Sequence, residues 1–240
     1  ARALSMARTW LDVLVRMMAD DARRAAMVAD LVHPKWLLML VRPGLARDDV
    51  PLVLEFVGML LSTSPSLAQN WTRLGGFRVL ERTLPPHWDV PCVLPWMWTL
   101  LLGPHAPKSS LYHTFAHATA VAHPQALRVI VKCMAHGMMA CRTAPAKRRA
   151  SLPHIPAPPP GLTALEDSVR LLVVHSHNED VRALLMLAPT LVAVLRATAP
   201  CFVDEPCGPR VCALCDALVD MLAACIAELV LSSHTLTLLH

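Results

Sequence analysis

One pattern dominates this chain: runs of apolar residues spaced three and four apart, each closed by proline or glycine. Because about 3.6 residues complete a helical turn, that spacing gathers apolar side chains on one helix face. A strand would need two-residue alternation between tight turns, and only 8 glycines are present beside abundant Ala, Leu, Met and Arg. The pattern therefore predicts an all-α protein.

Across residues 5–31, Met6, Trp10, Val13, Leu14, Met17, Met18, Ala25 and Val28 mark one or two amphipathic helices that stop at His33-Pro34. A short helix over 35–41 ends at Pro43-Gly44. Asp48 or Asp49 caps the next helix, with Pro51 in its first turn and its end near Leu61. Ser64 or Ser66 opens a helix that runs through Trp71 to Leu74 and closes at Gly75-Gly76. Another covers 77–84, before Pro85-Pro86. Asp89 is expected to cap 90–102, with Pro95 kinking its start and Gly103-Pro104 ending it. Helices over 109–122 and 124–142 break at His123-Pro124, because the residue before proline avoids helical dihedrals.

Residues 143–161, TAPAKRRASLPHIPAPPPG, are rich in proline and basic residues and lack hydrophobic periodicity. They read as a linker, dividing a helical stack over 1–142 from hairpins over 162–240 that continue or cap it. Helices resume at 163–175, 178–187, 189–199 and 210 to about 231. About ten helices joined by short turns suit an irregular armadillo or HEAT-like stack of helical hairpins, an α-solenoid. No anchor residue recurs at a fixed period, so no named repeat is assigned.

Hydrophobic residues make up 55% and charged residues 17%, so the chain must bury much of itself. A membrane-crossing helix needs about 20 consecutive apolar residues. The apolar stretches here are short or carry Glu55, Arg182, Asp216, Asp220 and Glu228, and 90–107 is interrupted by four prolines. Eight cysteines in a chain of this size read as reduced thiols, so a soluble cytoplasmic protein is expected, and Asn70-Trp71-Thr72 is a coincidental sequon. A net charge of +4, scattered or gathered at Lys147-Arg148-Arg149, with 1 Tyr and 4 Phe, gives no nucleic-acid footprint.

Candidate chemistry is sparse. Cys201, Cys207, Cys212 and Cys215 could hold zinc as four thiolates. The spacing lacks two close pairs, however, and Cys212 and Cys215 fall in an apolar helix, so core or loop cysteines are the preferred reading and a zinc-binding regulatory domain the alternative. His113 and His117 lie one turn apart, with His123 and His136 nearby, but no Asp or Glu occurs between Leu111 and Gly137 to complete a metal site or act as base. No nucleophile elbow or phosphate loop is found, so neither an enzyme nor a cofactor is expected. Ser151 follows Lys147-Arg148-Arg149-Ala150 as a basophilic kinase site would, although a plain solvated linker is favoured. Met17, Met18, Met134, Met138 and Met139 could line an adaptable groove, core packing being the commoner role.

The punctuation of residues 50–103 is more distinctive: a helix ending near Leu61, then Trp71, Gly76-Phe77, Leu80, Leu84-Pro85, Trp88, Pro91 and a closing Leu-Leu-Gly. This block, under a quarter of the chain, resembles the armadillo-like region of large BEACH and WD-repeat scaffold proteins. The resemblance implies a segment of a larger non-catalytic scaffold in vesicle traffic, lysosome-related compartments or autophagy. It would bind other proteins and reach membranes peripherally through its parent, with no catalytic residue to carry over.

Overall fold

The computed structural model describes residues 2–42, 44–143, 161–198 and 209–238. Every regular element among them is helical: α1 Arg2–Ala19, α2 Ala22–Leu31, α3 Pro34–Leu40, α4 Val50–Thr63, α5 Pro65–Arg73, α6 Gly76–Thr83, α7 Val93–Leu102, α8 Leu111–Phe115, α9 Ala126–Thr143, α10 Leu162–His175, α11 Glu179–Leu185, α12 Ala188–Thr198 and α13 Pro209–Leu238. The all-α expectation is thus met. The expected linker lies outside the described residues except at Thr143 and Gly161, and so do Ser151, Cys201 and Cys207.

Local chemistry accounts for most helix starts. Asp21 accepts a hydrogen bond from the backbone N–H of Arg23, which splits the first amphipathic run into α1 and α2. Ser64 caps α5 through the Leu67 N–H, and Asn178 caps α11 through the N–H groups of Asp180 and Val181. Pro51, Pro65 and Pro95 all fall in first turns, where the missing N–H has no helical partner to lose.

Three expectations fail for tertiary reasons. Asp49 holds the N-cap position of α4 but makes no side-chain capping hydrogen bond, its carboxylate instead facing Arg8 at 3.5 Å. Asp89 caps nothing: α7 begins after Cys92, and the Asp89 carboxylate instead accepts two hydrogen bonds from Arg47, at 2.7 and 2.8 Å. That guanidinium holds Asp89 below its usual carboxylate range. The helix expected over 109–122 shrinks to the five residues of α8. Beyond it the chain folds back on α7, where the Leu101 carbonyl accepts from the Ala122 N–H at 2.7 Å and satisfies an orphan group at that helix end. Asp167 of α10 meets the other end of α8, accepting from the Tyr112 N–H.

Packing follows chain order in two series. In one, α4 contacts α7, α7 contacts α10 and α10 contacts α13; in the other, α3 contacts α5, α5 contacts α6, α6 contacts α9 and α9 contacts α12. Helix α9 is the hub, touching α6, α7, α10, α12 and α13. A single apolar core runs from Val15 to Cys225, joining helices on both sides of residues 143–161. Within it the fully buried Trp98 donates its indole N–H to the Ser168 hydroxyl at 3.0 Å, tying α7 to α10. The equally buried Trp71 has no acceptor for its Nε1–H among the described residues.

Close approach depends on glycine at Gly58, Gly76 and Gly137, the last of these placing α9 against the Trp88 ring. A Cβ on Gly76 would lie 2.0 Å from the Trp71 ring, and one on Gly58 would lie 2.4 Å from the Trp96 ring. Any larger residue would have to displace an indole packed in the core.

Among the described residues no single helix is long and apolar enough to cross a membrane. The bent pair formed by residues 47–63 and 65–73 passes by length and composition only, with a 115° angle between its halves. Most of the apolar side chains of α4 face neighbouring helices in the core.

Candidate functional site: an arginine-rimmed groove and an apolar face

Where the C-terminus of α5, the N-terminus of α6, the start of α9 and the α11–α12 corner converge, they enclose a cavity of about 520 Å³. Its position follows from local sequence. Gly75, with φ of +80°, turns the chain sharply from α5 into α6, and Pro124 sets the angle at which the chain enters α9. Leu74, Phe77, Leu127, Leu184 and Leu187 supply apolar walls, and Leu74 and Leu187 are exposed at 44% and 54%.

The charged part of the lining is three arginines against one carboxylate: Arg73, Arg78, Arg128 and Glu81. Glu81 is only 7% exposed, and its side chain is paired with Arg128 at 3.0 Å and with Lys132. Such pairing offsets the cost of burying a charged group. Arg73 and Arg78 have no carboxylate partner among the described residues, and Arg128 keeps its Nε buried without an acceptor. Gly75, also in the lining, sits at the positive end of the α6 dipole. The rim is therefore a positively charged, partly apolar surface.

A second exposed feature lies on the first three helices. Helix α1 buries one stripe, Val15 and Met18, and presents another, Trp10, Val13 and Met17, to solvent. Met27 and Leu31 on α2, and Trp36 and Met39 on α3, are also exposed, at 66%, 84%, 69% and 69%. Side chains of this size are normally withdrawn from water in a folded domain.

The candidates from sequence scatter. His113 is exposed with its ring beside that of Tyr112, and α8 ends before His117, which removes the one-turn spacing. His123 is half-buried against Phe77 and His175 is buried, donating its Nε2–H to the Phe115 carbonyl and lying beside Trp98; burial lowers both histidines' pKa values. His136 is exposed. Cys212 and Cys215 stand on α13, half-buried and buried. Burial pushes the Cys92 thiol up to about 11 and raises Cys133, Cys141 and Cys225 as well, so these thiols stay protonated at neutral pH. Among the described residues no group of three or more His, Cys, Asp or Glu could hold a metal ion. Of the five methionines named as groove candidates, Met18, Met134 and Met138 are core, whereas Met17 and Met139 are exposed.

Sequence reasoning missed Arg73, Arg78, Glu81 and Arg128. They lie on three helices whose spacing carries no motif, and Gly75-Gly76 signalled a helix end rather than a groove. The exposed face had a visible signal: apolar residues on two sides of α1 exceed what one buried stripe requires.

The chain matches no family model, no curated protein and no solved structure.

Proposed function

We propose that this chain is a non-catalytic helical scaffold segment that binds other proteins, with its two packing series forming the layers of an irregular armadillo or HEAT-like solenoid. The supporting observation is the set of exposed Trp10, Met27, Leu31, Trp36 and Met39 on α1–α3, side chains whose burial by a partner would release ordered water. The chain-ordered contacts from α4 to α13 and from α3 to α12 are those a stack of hairpins produces, each unit touching its neighbours. The pattern of Trp71, Gly76-Phe77 and Trp88 gives the finer reading, a segment of a BEACH-type protein acting in membrane traffic or autophagy, cytoplasmic and peripheral to membranes.

A photo-crosslinking residue placed at Trp36 or Met39 in cells tests the reading, with Arg82, an exposed polar position, as control. Discrete protein adducts from positions 36 and 39, absent from position 82 and lost with Met27→Asp plus Leu31→Asp, are expected. Adducts to lipid alone, or equal labelling at all three positions, would overturn protein docking at this face.

A further inference from the structure

We propose that the arginine-rimmed groove between α5–α6, α9 and α12 is a docking site for a short acidic peptide segment, one that places carboxylates beside a large apolar side chain. The inference rests on the scaffold reading and gives its partner a chemistry.

Charge complementarity selects the occupant. Arg73 and Arg78 stand at the rim with no carboxylate partner among the described residues, so neither charge is already neutralised within the fold. The third arginine, Arg128, is held on Glu81 and keeps a buried N–H without an acceptor. A basic segment would meet net repulsion here, and a neutral one would leave the guanidinium groups partly desolvated without compensation. Carboxylates can accept from Arg73 and Arg78 in the fork geometry that guanidinium groups favour.

The apolar rim distinguishes a peptide from a free anion. Leu74 and Leu187 border the same cavity and are about half exposed. A free phosphate or carboxylate would leave them in water, whereas a leucine or phenylalanine next to the acidic residues would cover them. At about 520 Å³ the cavity accepts a few side chains rather than a folded domain. Glu81 has a supporting role, fixing Arg128 from below, and the pair adds little net charge of its own.

The test is selection of a phage-displayed random dodecapeptide library on the immobilised full chain, with counterselection on the R73E/R78E double variant. Both arginines are exposed, so the variant should retain the helical circular dichroism of the parent. The expected result is enrichment of sequences combining Asp or Glu with Leu or Phe. A fluorescent copy of the leading peptide should lose roughly fivefold in affinity with either single charge-neutral substitution, Arg73→Gln or Arg78→Gln, and more with both. Rising salt should weaken binding as screening tightens. Enrichment without acidic bias, equal binding to the double variant, or no enrichment would overturn the proposal. Displacement of the peptide by inorganic phosphate as readily as by unlabelled peptide would make the groove a bare anion site and also overturn it. Crosslinking at α1–α3 is read independently, so loss of the peptide site alone leaves the scaffold reading standing, and loss of the α1–α3 adducts alone leaves the groove.

Discussion

Five of the six tryptophans sort into two populations that divide the molecule, and the sixth, Trp96, is half-buried. Trp71 and Trp98, on α5 and α7, are fully buried, and Trp88 nearly so, whereas Trp10 and Trp36, on α1 and α3, are 64% and 69% exposed. Apart from Trp88, which lies in a turn before α7, these tryptophans sit in helices. In the middle of the chain α4, α7 and α9 each pack against several other helices, so most of their apolar side chains find a cover. Helices α1–α3 make their main contacts with one another, α4 and α5, and large apolar side chains on all three are left facing water. The same side-chain chemistry therefore produces core in one region and an exposed apolar face in the other, according to what packs against it.

Truncation should separate the regions most sharply. Trp98→Ala is expected to destabilise by about 3–5 kcal/mol, measured by urea denaturation, because it opens a cavity between α7 and α10. A loss under about 1 kcal/mol would mean that the α7–α10 joint does not form in solution. Gly76→Ala should cost about 1–3 kcal/mol by forcing the Trp71 ring out of place, and a neutral result would show that α5 and α6 can separate without loss.

The two fully buried tryptophans also differ from each other. Trp98→Phe strips the Ser168 hydroxyl of its donor, while Trp71→Phe removes an N–H that has no acceptor among the described residues. Trp98→Phe should therefore be the more damaging by about 1 kcal/mol, and the reverse order would place an unseen acceptor beside Trp71. The effect of pH is smaller and has a defined sign. Burial keeps the folded-state pKa of His123 and His175 below the ordinary 6.5, so below that pH the unfolded chain takes up protons that the folded chain refuses. Stability should fall as pH drops from 6.5 towards the carboxylate range, and His175→Gln should flatten that slope whatever its effect at neutral pH. The smallest expected change is Trp36→Ala, within about 0.5 kcal/mol of the parent, since its ring is already in water. A larger loss would show that the α1–α3 face is covered in the isolated chain, by self-association.

The helices could be read because their signals are local. Apolar spacing, Ser64 as a cap, Gly75 and Gly103 as stops, and prolines confined to first turns all act within a few residues. Asp89 was misassigned because Arg47, 42 residues away, competes for its carboxylate. The 109–122 run lost most of its helix because the chain beyond α8 folds back onto α7, where the Leu101 carbonyl accepts from Ala122. Such contests are decided by groups distant in sequence, and no window of neighbouring residues contains both contestants.

What the sequence determined by itself is that the chain is helical, where most helices begin and end, and that it holds more apolar surface than a single stripe per helix would use. Only the tertiary structure decided which of two apolar stripes on α1 became core, and which four charged residues from three helices came to surround one groove. The physical reason is the range of the forces. Helix formation depends on hydrogen bonds between residues four apart, whereas burial and charge pairing depend on whichever side chain arrives from elsewhere in the chain.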